Sequence, residues 1–165
     1  MKCIPKILSI LLPLVVALFC MSGTQTDAAE LSSKNTMLLL EGIEQHAMIY
    51  GEGERKVYVF VDPKCPHSQD FISMINENSK MRTMYRYYIF FYELKRFNSH
   101  DLIAAIYESA APLQRTLEVM VGGKEMRTSN QIEPKIETKI GDIARVADEI
   151  GVSKRPYLII AKKWD

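Results

Sequence analysis

Four adjacent residues, Cys65–Ser68, read Cys-Pro-His-Ser and bring together the side chains best suited to covalent chemistry. The β-branched and aromatic run Val57–Val61 precedes them and predicts a buried strand. Pro63 ends that strand, because proline lacks the amide that a strand ladder needs, and Pro66 suits the first turn of a helix. A cysteine at a strand-to-helix turn faces unpaired amide donors and the positive end of a helix dipole, which both favour the thiolate. The turn therefore predicts a nucleophilic cysteine, the alternative being a buried, unreactive thiol.

His67 and Ser68 have predicted catalytic roles beside that sulfur. A protonated His67 would place a positive charge near the thiolate, and the Ser68 hydroxyl can donate a hydrogen bond to it. The alternatives are a solvated histidine and an ordinary polar residue of the first helical turn. Because serine has no thiol, a mixed disulfide at Cys65 must be resolved by a sulfur from another molecule. Net oxidation of a dithiol by this chain alone is therefore excluded.

The segment around Cys65 resembles the active-site turn of thioredoxin-fold proteins, in particular the periplasmic disulfide oxidoreductases and isomerases of the Dsb group. Those proteins carry Cys-x-x-Cys after a strand that ends in a Phe-x-Asp-type sequence. The start Cys-Pro-His resembles the oxidant of the group, whereas Phe60–Pro63, which reads Phe-Val-Asp-Pro, looks more like the isomerase branch. Ser68 stands where the group has its second cysteine. The resemblance implies a thioredoxin-like site with a single cysteine.

A second segment, Arg155 and Pro156 ahead of the apolar run Tyr157–Ile160, resembles the cis-proline loop of the same proteins. An X-Pro bond takes the cis form far more readily than any other peptide bond. In the family, the backbone at this proline pairs with the substrate chain, which is a form of strand addition. The resemblance therefore implies substrate-binding roles for Pro66, Arg155 and Pro156.

Net charge and residue spacing argue against nucleic-acid-binding and metal-binding functions. The chain of 165 residues suits one domain plus a targeting segment. Its formal net charge of +1 argues against a nucleic-acid-binding surface. His46 and His100 lie far from Cys65 in the sequence, so the chain has no metal-ligand spacing. We expect neither a metal ion nor another cofactor.

Residues 1–28 predict a secretory signal peptide. Two lysines precede the apolar stretch Ile7–Phe19, which is too short to span a bilayer comfortably, and small and polar residues follow it. The alternatives are an uncleaved anchor or a lipoprotein, although the bulky phenylalanine before Cys20 disfavours lipidation. Cleavage leaves Cys65 as the one cysteine, so no internal disulfide can form. We therefore expect a periplasmic or secreted protein with a bacterial export signal and no stable membrane span after cleavage.

Hydrophobic periodicity predicts the elements that must position these residues. The two central strands are expected to run parallel and to be joined by a helix. The glycines of Gly51–Glu54 are predicted to form a hairpin between the first two strands. In chain order the predicted elements are a helix at Leu31–Gln45, strands at His46–Tyr50 and Lys56–Asp62, a helix at Pro66–Ser79, an aromatic strand at Met84–Leu94, helices at Ser99–Ala111, Leu113–Val121 and Ile136–Ile150, and a buried strand at Tyr157–Ile160.

The predicted fold class is α/β, with a thioredoxin-like mixed sheet and a helical insertion over residues 99–150. This domain is expected to span residues 46–165 and to follow a helical lead-in at residues 29–45. The insertion resembles the helical block found between the two halves of the fold in the Dsb group. The family adds a further strand and a terminal helix where this chain ends, so we expect an abbreviated fold with one uncovered sheet edge.

These observations predict thiol–disulfide exchange through a single nucleophilic cysteine, with cysteine-containing client proteins as partners. A second client thiol would complete an isomerisation, whereas a low-molecular-weight thiol or a membrane reductase would complete a reduction. Two alternatives stay open: a non-catalytic module that binds clients or assists envelope assembly, and a redox sensor in which Cys65 is oxidised or forms an adduct. Whether the protein is an enzyme is undecided from these residues.

Overall fold

The computed structural model of the protein describes residues 25–126, 128 and 131–161. Residues 1–24, which hold most of the predicted signal peptide, lie outside the described residues, so that assignment stays a prediction. Within the described part of the chain, no helix is both long and apolar enough to cross a membrane. The helices and strands are α1 Gln25–Gly42, β1 Met48–Tyr50, β2 Arg55–Val61, α2 Pro66–Glu77, α3 Ser79–Met84, β3 Tyr85–Phe91, α4 His100–Glu108, α5 Pro112–Met120, α6 Pro134–Glu149 and β4 Tyr157–Ile160, with short 3-10 helices at Glu44–His46 and Lys95–Phe97.

The chain divides into two compact units between Thr36 and Met37. In the first unit, the described residues belong to α1, where the Thr36 hydroxyl donates a hydrogen bond to the Ser32 carbonyl at 2.9 Å. The second unit contains the whole sheet, helices α2 to α6 and the candidate site. The predicted bounds of the lead-in and of the main domain stay predictions.

The four strands form one mixed sheet in the order β1-β3-β2-β4. The central strands β2 and β3 run parallel, with Val59 opposite Ile89, which confirms the predicted pairing. β1 pairs antiparallel with β3, and β4 pairs antiparallel with β2. Helix α2 begins just after the carboxyl end of β2. The cysteine turn therefore lies at the edge of the sheet where ligand sites of α/β proteins usually occur.

The predicted hairpin at Gly51–Glu54 is wrong, because β3 lies between β1 and β2 in the sheet. The connection instead passes over the start of β3, where the Glu52 amide donates to the Arg82 carbonyl at 2.8 Å and the Gly53 amide donates to the Tyr85 carbonyl at 3.3 Å. Gly51 has a φ of +92°, a conformation that favours glycine. The glycines of this segment therefore allow its backbone to pass close to the start of β3, and they do not form a turn between two paired strands.

The core is centred on β2 and β3, whose last five residues are all buried. Such continuous apolar runs are typical of parallel strands that are covered on both faces. On one face, Phe71 of α2 meets Tyr87 edge-on, with ring centroids 6.1 Å apart. On the other face, Phe60 and Phe90 stack at 5.3 Å. This packing gives the cysteine turn a rigid base.

The helices of the predicted insertion form close to where the periodicity places them. Helices α4, α5 and α6 confirm the three predicted helices, with ends that differ by a few residues. The predicted helix Pro66–Ser79 ends earlier, at Glu77, because the Asn78 side chain accepts a hydrogen bond from the Met81 amide at 3.1 Å and begins α3.

The strand β4 differs from the buried strand that the sequence predicts. Leu158 is 44% exposed and Ile160 is 59% exposed, and they alternate with half-buried Tyr157 and Ile159. Within the described residues β4 pairs with β2 on one side only. A short apolar run does not distinguish a central strand from an edge strand, and this ambiguity explains the error.

Tyr107 of α4 contributes a buried hydroxyl to this core. The hydroxyl accepts a hydrogen bond from the Phe91 amide at 3.1 Å. Burial raises the pKa of Tyr107 above its ordinary value, and the hydrogen bond from Phe91 lowers that pKa by a smaller amount. Burial also raises the pKa of Tyr58, with a further increase from its hydrogen bond to Glu44. Both tyrosines are therefore neutral in the native protein well above their ordinary titration range.

We expect the free energy of unfolding to fall as the pH rises above about 10. In the unfolded chain tyrosine ionises near that pH, whereas native Tyr107 keeps its proton, so rising pH favours the unfolded state. The stabilisation is complete below the unfolded pKa, and above it Tyr107, which is buried, loses about 1.4 kcal/mol per pH unit. Tyr107→Phe should give a shallower pH dependence in urea unfolding, while Tyr58 preserves part of the slope. Equal slopes for the two proteins would contradict the assignment.

Candidate functional site

Cys65 occupies the N-cap position of α2, with a φ of −81° and a ψ of 119°. Its amide donates to the Asp62 carbonyl at 3.0 Å, and its carbonyl accepts from the Gln69 amide at 3.0 Å. Pro66 follows at the first helical position, where its missing N–H leaves no bond unmade. The local structure therefore places the sulfur at the positive end of the helix dipole.

The segment Val152–Pro156, called the proline loop below, lies opposite this sulfur. The thiol of Cys65 donates a hydrogen bond to the Arg155 carbonyl oxygen at an Sγ–O distance of 3.9 Å, although the two residues are 90 positions apart. The Arg155–Pro156 peptide bond is cis. The antiparallel pairing of β4 with β2 brings the proline loop to the end of β2, next to the cysteine turn. The fold thus assembles the two predicted segments into one site.

The sulfur is covered in this arrangement. Cys65 is only 1% exposed, whereas Pro66 and His67 on the same turn are exposed. Cys65 is a free thiol, with no disulfide to any described residue. Reaction with a protein disulfide therefore requires that the atoms over the sulfur move aside. The sequence left a reactive and a buried thiol as alternatives, and the contact of the sulfur with Arg155, 90 positions away, could not be read from it.

Ser68 and His67 lie differently around the cysteine. Ser68 is fully buried, and its hydroxyl oxygen accepts a hydrogen bond from the Asp62 amide at 3.2 Å. Among the described residues, the hydrogen bond of the Cys65 sulfur goes to Arg155 and not to Ser68. His67 lies on the first turn of α2 and is exposed to solvent. The structure thus gives Ser68 a defined part in shaping the turn.

Asp62 is a site residue whose role sequence reasoning missed. It is fully buried, and its Oδ1 accepts from the Lys64 amide at 2.8 Å. Its Oδ2 accepts from the Leu94 amide at 2.6 Å and from the Ser99 hydroxyl at 2.8 Å. Ser99 is the N-cap residue of α4, but its hydroxyl bonds to Asp62 instead of capping the helix. The sequence did offer one indication of this role, because an aspartate directly after a continuously apolar strand is expected to be buried and hydrogen-bonded.

Arg155 is also buried, at 7% exposure, and its side chain turns inward. The guanidinium stacks on the Tyr92 ring, with its central carbon 3.8 Å from the ring centroid. Burial lowers the pKa of Arg155, and the fields of Tyr92, Asp62 and Asp148 oppose that change. The part of Arg155 that faces Cys65 is therefore its backbone carbonyl. Pro156 beside it is half-buried.

A cleft of about 450 Å³ borders the cysteine turn on the side of the helical block. It is lined in part by Pro63, Lys64 and Gln69 of the turn and by Asn98 and Leu102 near the start of α4. Among the described residues, the side chains of His, Cys, Asp and Glu form no group of three that is able to hold a metal ion. The chemistry that the site offers on its own is that of one thiol at a helix N-terminus.

The mixed sheet, the helix that starts at Cys65 and the proline loop opposite it define a thioredoxin-like α/β fold, which confirms the predicted fold class. The structure is similar to that of a disulfide interchange protein from Neisseria gonorrhoeae, with a TM-score of 0.56, 17% sequence identity, and coverage of 70% of this chain and 80% of that chain. It is also similar to ScsC from Proteus mirabilis in a compact conformation, with a TM-score of 0.60, 10% identity, and coverage of 82% and 78%.

A third similar structure is alpha-DsbA2, a thiol-disulfide exchange protein from Wolbachia pipientis. The TM-score is 0.52, the identity is 15%, and the match covers 85% of this chain and 89% of that chain. No protein-family model matches the sequence, and the search of curated proteins gives no match. At these identities the similarity establishes the fold, and the function must be argued from the site.

Proposed function

We propose that the protein carries out thiol–disulfide exchange through Cys65. The observation that carries this proposal is the position of its sulfur, at the N-terminus of α2 and 3.9 Å from the Arg155 carbonyl. A helix N-terminus favours the thiolate, which is the attacking form. The proposal is also supported by a fold shared with proteins that are named for disulfide interchange and thiol-disulfide exchange.

In the proposed reaction, the Cys65 thiolate attacks one sulfur of a client disulfide. The client S–S bond breaks, a mixed disulfide forms between Cys65 and the client, and the other client sulfur leaves as a thiolate. Attack by a second client thiol on the mixed disulfide regenerates Cys65 and isomerises the client. Attack by a low-molecular-weight thiol, or by a membrane reductase, instead leaves the client reduced. Ser68 has no sulfur to take part in either step.

The other site residues are assigned supporting roles in this proposal. Pro66 follows Cys65, and Pro156 follows Arg155, whose carbonyl contacts the sulfur. The three residues are proposed to bind substrate, and the backbone of Arg155 and Pro156 would pair with an extended client segment by strand addition. His67, exposed on the same helical turn, would favour the thiolate when it is protonated. The proposed setting is the periplasm or the extracellular space after removal of residues 1–28, with residues 46–165 as the functional domain.

The burial of Cys65 favours a second candidate function. A sulfur that is 1% exposed suits an unreactive position in a recognition module. Such a module would bind clients, or assist an envelope assembly, through the surface around the proline loop without covalent chemistry. The two candidates differ in one measurable property, which is the reaction of the native thiol.

The test is to incubate residues 29–165 with a scrambled, disulfide-rich protein and to identify adducts by mass spectrometry. We expect a mixed disulfide with the unaltered protein, recovery of native client disulfides over time, and complete loss of both with Cys65→Ser. Ser79→Ala, an exposed hydroxyl on α3, is the matched control and should behave like the unaltered protein. A thiol that reacts only in denaturant would instead support the recognition module.

A further inference from the structure

The segment Tyr92–Leu94, which follows β3, contacts both halves of the candidate site. The Tyr92 amide donates to the Val61 carbonyl at 2.9 Å, which ties the segment to the end of β2. From the side of the proline loop, Arg155 Nε donates to the Tyr92 carbonyl at 2.8 Å, and Nη2 donates to the Glu93 carbonyl at 3.4 Å. From the side of the cysteine turn, Asp62 accepts from the Leu94 amide at 2.6 Å. One short segment is therefore held by two buried, oppositely charged side chains.

The Arg155 side chain is satisfied without an ion pair. Among the described residues no carboxylate lies within ion-pair distance of its guanidinium, which instead donates to four backbone carbonyls. Two of these, at Val152 and Lys154, belong to the proline loop itself. Burying a charged guanidinium without a paired carboxylate costs free energy, so its hydrogen bonds to these carbonyls must be kept for the loop to stay in place. The side chain therefore anchors its own loop to the segment after β3.

The Asp62 side chain performs the matching task on the opposite side. Its two oxygens accept from the cysteine turn at Lys64, from the segment at Leu94 and from the start of α4 at Ser99. The Glu93 side chain adds a further link, because its Oε1 accepts from the Ser99 amide at 2.7 Å. These contacts join the cysteine turn, the Tyr92–Leu94 segment and the start of α4 to one another.

We propose that Asp62 and Arg155 are positioning residues that act through the Tyr92–Leu94 segment to set how closely the Arg155 carbonyl covers the Cys65 sulfur. Asp62 fixes the cysteine turn to the segment, and Arg155 fixes the proline loop to it. Loosening either contact uncovers the thiol without unfolding the domain. As an account of access to a reactive group, this inference rests on the proposed function, but its test measures access directly.

The experiment measures the rate of Cys65 alkylation by iodoacetamide in Arg155→Met, Arg155→Lys and the unaltered protein, at several urea concentrations below the unfolding transition. The net contribution of one hydrogen bond changes the equilibrium constant between the closed and the open loop by up to about tenfold. Because Arg155→Met removes four hydrogen bonds, we expect it to raise the alkylation rate at least about tenfold. We expect an intermediate rise for Arg155→Lys, since an ammonium group keeps the charge but cannot stack or bridge carbonyls as a fork.

The dependence on urea separates positioning from general destabilisation. Opening of the loop exposes little surface, so its rate should change weakly with urea, whereas access through global unfolding rises steeply. Val57→Ala, which removes a buried side chain near the start of β2 and four residues before the end of that strand, is the destabilised control and should show only the steep dependence. Asp62→Asn should also raise the rate of Cys65 alkylation. Combining it with Arg155→Met should raise the rate of the single Arg155→Met variant by less than about threefold, because both residues act on one segment.

Unchanged alkylation in Arg155→Met, or a rise only in its steep urea component, would overturn the inference. If Arg155→Met does not fold, Arg155→Lys carries the same comparison, and its failure to exceed the unaltered protein would overturn the inference. The outcome is independent of the proposed function. Adducts with the unaltered protein but no effect of Arg155 would refute the positioning role alone. An effect of Arg155 in a protein that forms no client adduct would refute the exchange function alone.

Discussion

Replacing Gly53 with alanine is expected to lower the free energy of unfolding by about 4 kcal/mol or more. A Cβ atom at this position would lie 2.1 Å from the Met84 carbonyl carbon and 2.2 Å from the Tyr85 amide nitrogen. These are backbone atoms at the start of β3, a central strand held by β1 and β2 on either side. Relief of the clash must therefore displace the crossing or the strand. Urea unfolding monitored by circular dichroism measures the effect.

Gly141→Ala is the matched control for this substitution. Gly141 lies within α6, it is exposed, and a Cβ there would have no other atom within 4 Å. Alanine is favoured over glycine inside a helix, so this change should raise stability by up to about 1 kcal/mol. If Gly53→Ala is no more destabilising than a typical surface substitution, the crossing over β3, and with it the strand order β1-β3-β2, is wrong.

The second large effect is expected from Ser68→Cys, which should create a dithiol site where the natural chain has one thiol. Cys65 is the N-cap of α2, and position 68 lies three residues further on, so the two side chains are neighbours on the first turn. We expect this spacing to let the two sulfur atoms meet in a disulfide with a small adjustment of the first helical turn. Oxidation should then remove both thiols, and the variant should oxidise a reduced dithiol client, a reaction that we do not expect from the unaltered protein.

This gain has a structural cost. The Ser68 hydroxyl accepts from the Asp62 amide at 3.2 Å in a fully buried position, and sulfur is a weaker acceptor. We expect a loss of about 1 to 3 kcal/mol in the free energy of unfolding of the reduced variant. Ser79→Cys adds an exposed thiol away from Cys65 and should form no internal disulfide. A folded Ser68→Cys variant that retains two unpaired thiols after oxidation would count against an exchange site at this turn.

The parts of the fold that were predicted correctly have strong local signals. The apolar runs that form β2 and β3 identify buried strands without any knowledge of their neighbours. Pro63 and Pro66 on either side of Cys65 mark the end of a strand and the start of a helix. The helices α4 to α6 follow from apolar residues at helical spacing. These features depend on a few neighbouring residues and are visible in one sequence.

The features that were missed depend on contacts between distant parts of the chain. The Gly51–Glu54 segment has the composition of a hairpin, but pairing with β3 decides its path. The exposure of Leu158 follows from the edge position of β4, which composition does not reveal. The roles of Asp62 and of the Arg155 side chain come from hydrogen bonds to the segment after β3. None of these partners is close in the sequence.

The 90-residue separation between Cys65 and Arg155 has a consequence for biosynthesis. A nascent chain emerges with its N-terminal part first, so Cys65 leaves the ribosome long before Arg155, whose carbonyl its thiol contacts. Contacts between distant residues also form late, because the intervening loop must first be closed. Throughout that interval the sulfur has no shield. An incompletely synthesised chain is therefore the form in which the Cys65 thiol is most open to reaction with oxidants or with other thiols.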